Sequence, residues 1–140
     1  MFNRQASKLE GMKSMAENQS FRFELDHEQK LLRITFEGLW TVEAAERYRQ
    51  ARATALESAV SRGISSRDLV ILVDRRSQSA QAQDVAATIA RVIANNKAIA
   101  RKTAILVSSA MLRHQVDRTA PGENVRSFKD ETEALAWLRQ

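Results

Sequence analysis

The run Asp68-Leu-Val-Ile-Leu-Val-Asp74 constrains this chain more than any other segment. Five consecutive apolar residues, mostly β-branched and bounded by aspartates, predict a strand over Leu69–Val73 that is buried on both faces. Such strands belong to sheets covered by helices on two sides. The polar stretch Arg75-Arg-Ser-Gln-Ser79 follows, and then Gln83–Asn96, where Val85, Ile89, Val92 and Ile93 share one helical side. In open α/β sheets, ligands and partners dock at the carboxyl ends of the strands. The working surface is therefore expected just after Asp74, with Arg75 and Arg76 exposed in a loop.

The remaining segments fit around this strand. In Phe21–Asp26, Phe21, Phe23 and Leu25 alternate with Arg22, Glu24 and Asp26, so one face is dry and the other wet. After a short polar connection, Leu32, Ile34 and Phe36 repeat the alternation, which predicts an antiparallel hairpin ending at Gly38. Thr41 is a good helix N-cap, with Glu43 in the first turn, where the helix dipole favours an acid. The helix runs from Val42 to Arg62, with Val42, Ala45, Tyr48, Ala55, Ala59 and Val60 as its apolar positions and Gly63 as its stop. Thr103–Val107 is a second continuous apolar strand. Ala110–Arg118 reads as a shorter helix, Thr119-Ala-Pro-Gly122 as a turn and Asn124–Phe128 as a last short strand. A terminal helix starts at Asp130, with Glu133 three residues on as in a capping box. Its Leu135 and Leu138 are expected to be buried. The order is β-β-α-β-α-β-α-β-α: an α/β fold with a single mixed sheet, parallel at its centre and antiparallel at the hairpin.

At 140 residues the chain is long enough for one domain with a real core. It contains no cysteine, so disulfides, zinc thiolates and thiol nucleophiles are excluded. No apolar run approaches the ~20 residues of a membrane span, and the first residues lack the apolar core of a secretion signal. These features predict a cytoplasmic protein. Met1–Ser20 carries only a weak apolar stripe broken by Gly11, which predicts a mobile tail dispensable for folding, with the domain occupying residues 21–140. The net charge of +5 comes from basic residues scattered among acidic ones. That pattern suits a solvated surface better than the basic, aromatic-interleaved stripe of a nucleic-acid binder.

Gly38-Leu-Trp-Thr41 at the start of the long helix, Leu69–Asp74, and Phe128-Lys-Asp-Glu-Thr-Glu-Ala-Leu-Ala-Trp-Leu138 together resemble the SpoIIAA-like group of STAS-like domains. The resemblance spans Phe21 to Leu138. It implies a mixed sheet with flanking helices and a non-enzymatic module, regulatory through protein–protein contact. Some members of the group are anti-sigma-factor antagonists switched by serine phosphorylation. Their switch serine lies in an Asp-Ser-Ser-Gly-like turn, whereas this chain reads Asp74-Arg-Arg-Ser-Gln-Ser79, without the glycine. Ser77 and Ser79 are the approximate counterparts and so the candidate phosphorylation sites. The fold is also similar to that of lipid-carrying domains, which implies the alternative of a carrier for a small apolar or amphipathic ligand. Trp40 and Tyr48 would then line its pocket.

Asp74, Arg75, Arg76, Ser77 and Ser79 form the candidate partner-binding set, the arginines being suited to acidic groups. No residue is assigned a catalytic role. Ser108, Ser109, His114 and Asp117 lack a nucleophile-elbow pattern. Ser109 reads more simply as a helix cap, and His114 with Asp117 as a surface hydrogen bond. His27 and His114 have no metal-ligand spacing, and the four glycines form no phosphate loop. No cofactor is implied.

Overall fold

The structure, a computed structural model, describes residues 21–95, 100–119 and 123–140. The expected tail Met1–Ser20, the helix end at Asn96 and the turn residues Ala120-Pro-Gly122 lie outside these.

The chain forms β1 (Phe21–Asp26), β2 (Leu31–Glu37), α1 (Val42–Ser61), β3 (Val70–Ser77), α2 (Gln83–Asn95), β4 (Lys102–Leu106), α3 (Ala110–Thr119), β5 (Val125–Phe128) and α4 (Glu131–Leu138). The five strands lie in sequence order across one sheet. β1 is antiparallel to β2, and β2, β3, β4 and β5 are parallel to one another. The alternating hairpin is thus antiparallel as expected, with β1 at the edge and β2 inside the sheet. β3 and β4 are adjacent interior strands, and every residue from Leu69 to Val73 and from Thr103 to Val107 is buried.

Alternation along the strands sorts the core into two layers. Phe23, Ile34, Ile71, Val73 and Ile105 face α1, α2 and α3. Val70, Leu72, Ala104 and Leu106 face the opposite side, covered by Ala134, Trp137 and Leu138 of α4. The caps act as their residue types suggest. Thr41 Oγ1 accepts from Ala44 N at 3.1 Å, and Asp130 Oδ2 accepts from Glu133 N at 3.1 Å. Gly63 takes φ +89° after α1, a left-handed conformation that costs glycine least.

Several apolar assignments shift. Leu138 is buried, but Leu135 is only partly so, because it sits at the margin of the smaller layer. Val60 is 54% exposed, and the inner position at that end of α1 belongs to Ala59. One helical turn after Tyr48, the inner face of α1 carries Arg52, only 1% exposed. Its Nη1 donates to Tyr48 Oη at 2.7 Å.

Candidate functional site

β3 does not end where its apolar run ends. It continues through Asp74, Arg75 and Arg76 to Ser77, so the first three residues of the expected loop are strand and only Gln78 and Ser79 lie beyond it. Thr35 pairs with Asp74 and Glu37 with Ser77, so β3 advances three residues against two of β2. This extra residue is a bulge, a device that re-aims side chains near working surfaces. The neighbouring arginines, on opposite faces of the strand, have opposite surroundings.

Arg76 lies on the α4 side. Its Nε donates to Asp74 Oδ1 at 3.0 Å, and its Nη2 reaches Asp74 Oδ2 at 2.8 Å and Glu131 Oε1 at 3.1 Å. Arg33 on β2 meets Glu131 through a two-pronged contact, both bonds at 3.0 Å, and approaches Asp74 Oδ2 at 3.5 Å. Two guanidinium groups and two carboxylates thus form one balanced network joining β2, β3 and the first turn of α4. The hydrogen bond from Arg33, with the Arg33 and Arg76 charges, holds the Glu131 carboxyl below its ordinary range despite some burial. At Asp74 burial acts to raise the pKa, but the hydrogen bonds from Arg76 and the charge of Arg33 together outweigh it, and the net shift is downward. Arg33 and Arg76 are held more firmly protonated, chiefly by their bonds to Glu131 and Asp74 respectively.

Arg75 lies on the side of α1, α2 and α3 and is only 4% exposed. The exposed loop arginine expected at this position is therefore corrected to an interior one, because strand alternation persists past Asp74. Its Nε donates to Gln78 Oε1 at 2.7 Å, and its guanidinium lies 5.3 Å from the Phe36 ring centroid, in cation–π range. Among the described residues no carboxylate pairs with it, and its Nη2 has no hydrogen-bond partner. Burial pulls its pKa down to about 10, which leaves it cationic at neutral pH.

The connections after β2, β3 and β4 emerge at one end of the sheet and are laced together. Gln78 Nε2 donates to Gly38 O at 2.9 Å, and Trp40 N to Gln81 Oε1 at 2.9 Å. Gln81 exchanges two bonds with Gln115 of α3, at 3.0 and 2.9 Å, and Ser108 Oγ donates to Arg76 O at 2.7 Å. On this framework Ser77 and Ser79 are both exposed. Leu39, in the connection after β2, is 67% exposed, and Met111, in the first turn of α3, is 73% exposed. Neither was singled out in the sequence. Their signal is position, since each is a large apolar residue beside a strand's carboxyl end and off the core spacing.

Trp40 and Tyr48 are not among the residues lining the cavities at α2–α3 or beside α4. They are buried in an aromatic cluster with Phe21, Phe23 and Phe36, in which Phe36 lies 4.4 Å from Trp40 and 4.8 Å from Tyr48 between ring centroids. The Trp40 indole N–H donates to Glu37 O at 3.1 Å, so the ring is fixed as well as enclosed. Ser109 Oγ accepts from Leu112 N at 3.1 Å, as a helix cap does. Asp117 accepts from Ser127 Oγ at 2.6 Å and pairs with Arg113 at 3.7 Å, instead of serving His114. His27 Nε2 lies 2.9 Å from Arg62 O, far from these serines in the chain and on another loop. Among the described residues no three His, Asp or Glu gather as metal ligands, and no helix is long and apolar enough to cross a membrane.

No protein-family model matches the chain, and no curated protein matches it. The solved structures include a similar fold, that of an uncharacterised protein of the DUF3478 family from Shewanella loihica PV-4, described as SpoIIAA-like. It is 20% identical, with a TM-score of 0.57 over 86% of this chain and 94% of that one. Five strands, four helices and this likeness together establish that the described domain has a SpoIIAA-like fold.

Proposed function

We propose that this chain is a non-enzymatic module acting by protein–protein contact in a regulatory role, through the surface formed by the connections after β2, β3 and β4. The observation that carries the reading is the exposure of Leu39 and Met111 on either side of the β3–α2 connection. Large apolar side chains set in a polar surround are what partner surfaces offer. The glutamine bonds between the connections hold the surface in place, so little ordering entropy is lost on docking.

This geometry changes the expected chemistry of the partner. Arg75 is interior, and Arg76 is already engaged by Asp74 and Glu131. Recognition therefore rests on an apolar centre rather than on acidic groups meeting free arginines. Ser77 and Ser79 lie at the carboxyl end of β3, the strand between those that lead to the two apolar residues, and a phosphoryl group on either would add about −2 charge there. Such a change would disfavour an apolar contact, which is how phosphorylation would regulate it.

The test compares the full wild-type chain with Leu39→Asp combined with Met111→Asp, and with Val60→Asp as a control. Val60 is also apolar and exposed but lies at the far end of α1. Each protein is immobilised and challenged with an extract of its own cells. Partners held by the wild type and the control but lost by the double variant are expected. Identical recovery by all three, or no partner on the wild type, would overturn the reading.

A further inference from the structure

Arg75 is a buried cation whose Nη2 has no partner among the described residues. It lines a small cavity of ≈ 20 Å³ with Ile89, Ile105, Val116, Gln115 and Thr119. That volume holds about one water-sized group. Ala86, Gln115 and Thr119 also line a second, wider groove of ≈ 430 Å³ between α2 and α3. Ala80, Ala87 and Met111 make this groove largely apolar, and His114 and Arg118 also line it. Its volume is in the range of small-molecule sites.

The polar groups of the inner cavity are nearly all committed. Gln115 uses both ends of its amide on Gln81. The Thr119 hydroxyl faces the carbonyl oxygens of Gln115 and Val116, at 3.0 and 3.3 Å. The remaining donor is Arg75 Nη2, part of a cation set among mostly apolar walls. A dianion or a phosphate ester would bring more acceptors and more charge than this one group can satisfy. A carboxylate brings a single charge, and one of its oxygens matches the one water-sized space beside the one unpartnered donor. The unpaired charge also gives an anion more than a neutral ligand would gain there, because a buried charge without a counter-ion is the costly arrangement.

We propose that the groove between α2 and α3 binds a small organic monocarboxylate, with one carboxylate oxygen reaching Arg75 Nη2 through the water-sized inner cavity and its apolar body against Ala86, Ala87 and Met111. This site is separate from the aromatic cluster at Trp40 and Tyr48, and it stands independently of the partner surface.

Hexanoate is the probe and hexan-1-ol the uncharged control, each titrated into the isotope-labelled full chain at neutral pH and followed by NMR. Saturable shifts are expected at the Arg75 Nε–H, along Ala86–Ala90 and along Gln115–Thr119, with hexanoate bound at least about tenfold more tightly than hexanol. Arg75→Met should remove that preference. Ala86→Leu, at a half-buried position on the shared wall, should weaken hexanoate binding by about tenfold or more while leaving the melting temperature unchanged. If Arg75→Met does not fold, the hexanol comparison and Ala86→Leu decide between the outcomes. Shifts that do not saturate, equal binding of acid and alcohol, or binding unaffected by Ala86→Leu would overturn the proposal and leave the inner cavity to water.

Discussion

At the carboxyl end of β3, two arginines adjacent in sequence occupy opposite kinds of environment. Arg76 sits on the α4 side, half exposed, with both carboxylates of a balanced network on its guanidinium. Arg75 sits on the side of α1, α2 and α3, enclosed, with one glutamine, one aromatic ring and an unpaired donor. Residue type and sequence neighbourhood are the same, and only the strand face differs. Charge on this segment therefore has two meanings. On one face it fastens α4 to the sheet, and on the other it is an interior cation awaiting a counter-charge.

Reversing each charge should break the comparison open. Arg75→Glu places a carboxylate beside Phe36 and Ile105 with no cation to receive it, and should cost more than about 3 kcal/mol or prevent folding. Leu138→Ala comes next, at about 2–4 kcal/mol, because Leu138 is enclosed in the smaller layer that holds α4 against β3 and β4. The same change at the partly buried Leu135 should cost only about 1 kcal/mol. Urea denaturation of each variant measures these values. Equal losses at Leu135 and Leu138 would show that α4 docks in another rotation.

Arg76→Glu should cost about 1 kcal/mol, since its network is partly solvated and screened. Glu131→Gln should have a similar or smaller effect, with a pH signature. The folded Glu131 and Asp74 carboxyls are both held below their ordinary values. Their stabilising contribution is thus fully present above the ordinary carboxylate range near pH 4 and is lost as pH falls through the lowered folded values. The stability gap between wild type and Glu131→Gln should accordingly close on acidification. A gap that persisted in strong acid would remove the ion network as its cause. Val60→Asp should change stability by less than about 0.5 kcal/mol, the least of the set.

Much of the fold was legible because periodicity reports burial directly. The continuous runs at Leu69–Val73 and Thr103–Val107 became adjacent interior strands, and the alternating hairpin became the antiparallel edge. The candidate site was less legible. A polar residue such as Asp74 ends an apolar run, but it need not end a strand, and Arg75 went inside because alternation continued. Arg52 carried a readable sign: four residues after Tyr48 and seven before Ala59, it falls on the apolar stripe of α1. The pairing of Arg33 with Glu131 spans 98 residues, and no local pattern encodes it. Leu39 and Met111 were hidden for the opposite reason, since a single exposed apolar residue is ordinary and gains meaning only when topology brings two to one end of the sheet.

The division of β3 into an interior and a surface cation can be measured without any substitution. Hydrogen exchange at the arginine Nε–H groups, followed by NMR at neutral pH on the full chain, reads the enclosure of each side chain in turn. The Arg75 Nε–H, buried on Gln78, should exchange at least about tenfold more slowly than the Arg76 Nε–H, which is bonded to Asp74 at the surface. Equal exchange at the two positions, or faster exchange at Arg75, would contradict the account.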